Sequence, residues 1–115
     1  MAYGKRLAFE TIREAAFGAI GANFAAIGPV TVDNTRIFTV FNTTDVDVYI
    51  SIDGVNPHLR CPAGVHRVLD VTTNAVSQEG LFLSLETQFY QKQTSMGAPS
   101  SGSIWIEVGY AAGGV

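Results

Sequence analysis

Residues 46–53 read Val-Asp-Val-Tyr-Ile-Ser-Ile-Asp, so Val46, Val48, Ile50 and Ile52 share one parity while Asp47, Tyr49, Ser51 and Asp53 take the other. Side chains on a strand alternate faces, and this pattern predicts a strand with one buried face and one solvated face. Asp53-Gly54 follows it with residues that accept the positive φ of a tight turn. Upstream, residues 36–42 predict a second strand, and Asn42-Thr43-Thr44-Asp45 reads as the polar turn joining the two into a hairpin.

The same punctuation recurs downstream. Asn56-Pro57 marks a loop, residues 58–61 a short extended piece, and Pro62-Ala63-Gly64 another turn. Residues 65–71 predict a strand stopped by Thr72-Thr73-Asn74, and residues 81–86 alternate again and continue through 87–91. Residues 94–103 hold Gly97, Gly102, Pro99 and four Ser and predict a flexible loop. In the last strand Ile104, Ile106, Val108 and Tyr110 alternate with Trp105, Glu107 and Gly109, ahead of a small tail over 111–115. Short strands at intervals of about ten residues predict an all-β fold, a single β-sandwich or small barrel of about six to eight antiparallel strands.

The N-terminal part reads differently. Phe9, Ile12, Ala16, Ile20, Asn23 and Ile27 recur at spacings of three or four, as on one helical face. Gly18, Gly21 and Gly28 oppose a helix, each at about 1 kcal/mol relative to Ala. A short helix ending near Phe17 followed by extended chain accommodates both signals; so do two extended pieces adding strands to a sheet, including a neighbour's. The expected organisation is an N-terminal arm over 1–28, helical or extended, and a β-sandwich domain over 29–115.

Composition points to association. Hydrophobic residues make up 47% and charged residues 15%, against roughly 25% charged in ordinary globular proteins. A surface so poor in charge tends to meet other protein. With 7 basic and 10 acidic residues, and no basic cluster beyond Lys5-Arg6, the chain lacks the footprint of a nucleic-acid binder. Glu10, Arg13 and Glu14 interrupt the apolar run an export signal needs, and no stretch is apolar enough for a membrane span. The expected setting is a cytoplasm, without membrane or specific nucleic-acid partners.

Candidate chemistry is sparse. Asp45, Asp47 and Asp53 crowd one region, but no calcium loop with a closing Glu is present, and they read as solvated charge. His58, Cys61 and His66 offer three zinc ligands where a structural site needs four. Cys61 is the one cysteine, so it reads as a small buried residue and no internal disulfide forms. No nucleophile elbow, P-loop or H-E-x-x-H occurs, so the expectation is a non-enzyme with no cofactor and no metal. Asn42-Thr43-Thr44 matches a glycosylation acceptor but reads as a turn. Trp105 has the parity opposite to Ile104, Ile106 and Val108 and is expected to face outward as a contact anchor, as is Tyr49 on its own strand. With Phe9, Ile12, Phe17, Ile20 and Phe24 of the N-terminal segment they make the candidate subunit contacts.

Arg36-Ile37-Phe38-Thr39-Val40-Phe41-Asn42-Thr43-Thr44-Asp45, Ser51-Ile52-Asp53-Gly54, Pro62-Ala63-Gly64, Leu69-Asp70-Val71-Thr72-Thr73-Asn74 and Ser101-Gly102-Ser103-Ile104-Trp105-Ile106 together resemble small virion proteins of tailed bacteriophages. Cys61 departs from that pattern, standing before the Pro-Ala-Gly turn in place of an ordinary apolar residue. The resemblance spans about residues 36–110 and implies a β-sandwich that assembles in rings or as a shell component. The expected function is a subunit of a homo-oligomeric ring at the head–tail junction (neck) or in the tail, located in the virion. Its expected partners are portal, adaptor, tail or major capsid protein. Alternatives are a capsid decoration (cement) protein and a carbohydrate- or ligand-binding β-module that stacks its ligand on Trp105 and Tyr49. The arm and the 94–103 loop are the segments expected to order on assembly.

Overall fold

The computed structural model describes residues 6–70 and 83–112. Among these the chain forms nine strands: β1 (Arg6–Phe9), β2 (Arg13–Ala16), β3 (Ala25–Ile27), β4 (Thr35–Asn42), β5 (Val48–Ser51), β6 (Leu59–Cys61), β7 (His66–Asp70), β8 (Phe89–Gln93) and β9 (Ser103–Ala112). A 3₁₀ turn, Phe17–Ala19, is the one helical element among the described residues. Two antiparallel sheets result, a five-stranded one in the order β1-β9-β4-β7 with β2 also on β9, and a four-stranded one in the order β3-β8-β5-β6. The fold is the expected all-β sandwich.

β9 organises the larger sheet. β4 runs along one side of it, while β1 and β2 share the other, against residues 109–112 and 103–106 respectively. The alternation of residues 104–108 is realised: Ile104, Ile106 and Val108 are fully buried and meet Val40 and Phe38 of β4 on the inner face. Ile27, Val48, Ile50, Cys61 and Phe89 of the smaller sheet complete the core, with the Phe38 and Phe89 rings 5.3 Å apart. Burying such side chains contributes roughly 1.5–3 kcal/mol each, which is what holds the two layers together.

The opening strand is shorter than its alternation, Val48–Ser51, because Ile52 already lies in the turn and is partly exposed. The expected β4–β5 hairpin does not form. The two strands lie in different sheets, β4 pairing with β7 and β9, and β5 with β6 and β8. Asn42 makes the difference. Its buried amide donates to the carbonyls of Val46 and Cys61, both at 2.9 Å, and its Oδ1 accepts from the Thr44 N–H at 2.9 Å and the Thr44 hydroxyl at 2.6 Å. These bonds fold 42–46 into a corner that carries the chain from one sheet to the other. Gly102 lies against this corner with φ 85°, where a Cβ would overlap the Thr43 carbonyl.

Of the two readings of the N-terminal segment, the extended one is realised, as strands added to a sheet. No helix forms before Phe17; residues 13–16 are strand β2, with Arg13 and Ala15 buried and Glu14 and Ala16 exposed. The three-and-four spacing misleads because Phe9 and Ile12 face outward while Ile20 and Ile27 face the core. Residues 6–27, expected as an arm, supply strands to both sheets of their own chain. A buried ion pair fastens the break between β1 and β2: the Arg13 guanidinium meets Glu10 at 2.7 Å and donates to the carbonyls of Pro29, Val30 and Thr11. The other Glu10 oxygen accepts from the N–H groups of Val32 and Asp33, each at 3.0 Å.

In the 94–103 loop the Thr94 hydroxyl donates to the Asp47 carbonyl, and the Ser100 N–H and hydroxyl donate to the Asp45 carboxylate. Of the strand expected over 81–86, Leu83 forms an isolated bridge with Thr35 and Glu86 turns the chain with φ 67°. Residues 81 and 82, the Thr72-Thr73-Asn74 turn and the end of the tail lie outside the described residues.

Candidate functional site

The outer face of the five-stranded sheet is built from the parity opposite to the core. Register places Phe9 beside Gly109 and Ile37, Glu107 beside Thr39 and Val68, and Glu14 beside Trp105, Phe41 and His66. Leu7 (60% exposed), Phe9 (58%), Ile12 (53%) and Val68 (59%) stand open on it. Gly109 lies under Leu7, Phe9 and Ile37, whose side chains close over the space a Cβ would need. Ile12, Phe41, His66, Trp105 and Glu107 line a groove of about 500 Å³, in which the Phe41 and His66 rings stack at 4.9 Å. The polar groups here are few. Glu107 accepts from the Thr39 hydroxyl at 2.8 Å, with His66 Nε2 at 4.0 Å, and Glu14 accepts from the Ser103 hydroxyl at 2.8 Å.

The outer face of the four-stranded sheet has a different character. Tyr49 stands between Arg60 and Lys92 across neighbouring strands. The Arg60 guanidinium lies 5.8 Å from the Tyr49 ring centroid and Lys92 Nζ 4.8 Å from that of Phe24. Both contacts are within cation–π range.

Three of the seven expected contact residues, Phe9, Ile12 and Trp105, therefore come together on one surface. Phe24 and Tyr49 share the other, and Phe17 sits exposed in the 3₁₀ turn at one end of β2. Ile20 is corrected: it is 3% exposed, part of the core, and unable to meet a neighbour. Trp105 and Tyr49 lie on opposite faces of the sandwich, so they form no shared stacking platform. Leu7, Phe41 and Val68 were missed. The signal for Phe41 was present in Ile37-Phe38-Thr39-Val40-Phe41, where apolar residues occupy both parities, the mark of a strand covered on both sides.

The three aspartates are more than solvated charge. Asp53 accepts from the N–H groups of Asn56 and Val55 and from the Asn56 amide, which hold its carboxyl far below the usual range. The Ala63 N–H and Arg60 lower Asp47, and Ser100 lowers Asp45. Each fastens a loop. His58 Nδ1 accepts from the Ile52 N–H, His66 stacks on Phe41, and Cys61 is buried with its thiol pushed up by desolvation, so these three side chains do not converge. Among the described residues no group of three or more His, Cys, Asp or Glu is placed to hold a metal ion. Asn42 is wholly buried, leaving no access for a glycan.

Comparisons with protein-family models, with curated proteins and with solved structures find no match to this chain.

Proposed function

We propose that the chain is a non-enzymatic structural protein of a tailed-bacteriophage virion, one subunit of an oligomeric ring at the head–tail junction or in the tail. The observation that carries the assembly part of this reading is the apolar outer face of the five-stranded sheet, with Leu7, Phe9, Ile12 and Val68 more than half exposed. Four columns of strands at about 4.8 Å and ten residues at about 3.3 Å frame a face of roughly 630 Å². Exposed apolar side chains gathered on such a face and rimmed by a few polar groups mark an interaction site. The phage setting rests on the resemblance of residues 36–110.

The test is quantitative mass spectrometry of purified particles of the phage that encodes the chain. About a dozen copies per particle is the expected result. Hundreds of copies would move the protein to the capsid surface as a decoration protein, and its absence from particles would overturn the virion reading.

A further inference from the structure

We propose that the occupant of the apolar face is the outer face of the four-stranded sheet of a second copy of this chain. The subunits would then associate head to tail. This rests on the assembly reading above and names its partner.

Charge decides between the two ways a second copy could dock. On the apolar face, the carboxylates of Glu14 and Glu107 accept hydrogen bonds from Ser103 and Thr39. Neither has a Lys or Arg within ion-pair distance among the described residues. If two copies joined by this same face, the four carboxylates of Glu14 and Glu107 would enter one interface. Like charges placed together at an interface oppose association. The opposite face supplies what is missing. Lys92 lies over the Phe24 ring and meets no carboxylate among the described residues, and Arg60, paired with Asp47 at 2.9 Å, keeps 45% of its side chain exposed. Setting one face on the other brings Lys92, with no carboxylate of its own among the described residues, and the Asp47-paired Arg60 into one interface with Glu14 and Glu107, and the Tyr49 and Phe24 rings into it with Trp105 and Phe41. Aromatic side chains on both partners with charge of opposite sign around them are the composition of a specific interface.

The contact uses two different surfaces of each subunit, so every docked copy presents a fresh surface to the next. Such an interface closes into a ring or continues as a stack. A same-face dimer would stop at two.

The experiment is sedimentation velocity on the full chain, comparing wild type, Lys92→Glu, Glu107→Lys and the double variant. Wild type is expected to exceed a dimer. Each single reversal is expected to weaken association by about tenfold or more, since either one sets like charges face to face. The double variant is expected to regain the wild-type size, which also shows that both substitutions are compatible with folding. Lys92→Met and Glu107→Gln, which keep side-chain size, should weaken association by smaller factors. Wild-type assembly unaffected by Lys92→Glu, or a double variant no better than the singles, would overturn the head-to-tail contact while leaving the assembly reading standing. A wild type that stays monomeric would overturn both.

Discussion

Replacing Asn42 by Leu is expected to lower the stability of the fold by about 3 kcal/mol. The side chain is wholly buried and makes four hydrogen bonds across the corner between the sheets. The Thr44 hydroxyl, whose one proton goes to Asn42 Oδ1, also lies 2.8 Å from the Val46 carbonyl and turns to it once Oδ1 is removed, so that carbonyl keeps a partner after the substitution. The Thr44 N–H loses its side-chain acceptor, and the Cys61 carbonyl loses a donor. Buried groups left unpaired cost roughly 1–3 kcal/mol each. Leucine shares asparagine's branching and is larger, so no cavity is left and the loss comes from hydrogen bonds and crowding at a buried site. Urea unfolding at neutral pH checks this. A midpoint close to wild type would mean that the corner is held by Gly102 and strand pairing, with Asn42 incidental. Since domains of this size are stable by about 5–15 kcal/mol, the expected loss is a large share of the total.

Arg13→Met is expected to cost about 3–5 kcal/mol at neutral pH, the range for removing one partner of a buried ion pair. The Glu10 carboxylate, 7% exposed, would lose its counterion, and the Pro29 and Val30 carbonyls would lose their donor. The effect should depend on pH in a defined direction. Burial alone would raise the Glu10 carboxyl, but the Arg13 guanidinium and the N–H groups of Val32 and Asp33 outweigh it and hold the group below its ordinary 4.5. A carboxyl lowered in the folded state stabilises it fully above the unfolded value and loses that contribution as pH falls through the folded one. The gap between wild type and Arg13→Met should therefore be widest near neutrality and narrow below about pH 4.5. Urea midpoints measured from pH 7 to pH 3 test it; a gap independent of pH would show that packing of the Arg13 stem against Gly28, and not the ion pair, sets the cost.

Where strands lie was legible in the sequence, and which strands pair was less so. β9 could be read from Ile104, Ile106 and Val108 alone, because alternation has the same period as the pleat. The error at β4 and β5 has a specific cause. A polar four-residue turn between two apolar runs is the signal of a hairpin, and Asn42-Thr43-Thr44-Asp45 carries it. Nothing local reveals that the Asn42 amide will be bonded to Cys61, nineteen residues away. At the N-terminus the misreading came from counting Phe9 and Ile12 with the core, although they belong to the outer face. The same two residues were named as candidate contacts, and both are exposed. An apolar outer face erases the inside–outside contrast on which periodicity depends, so the segment that misled the fold reading is the one that marks the candidate site. The charged groups of the proposed contact, Lys92 and Glu107, lie on different sheets, and their placement depends on a tertiary arrangement that left no trace in local pattern.

In the working molecule the outer face of the five-stranded sheet is expected to be covered by protein. The decisive measurement is the molar mass of the full chain in solution, from light scattering across a range of micromolar concentrations, beside Phe9→Ser/Ile12→Ser. Both side chains are more than half exposed, so their replacement should leave the fold and its urea midpoint intact. The expected result is a multimer for wild type and a monomer for the variant. A wild-type chain that remains monomeric throughout the range, or a variant that assembles as well as wild type, would contradict the claim.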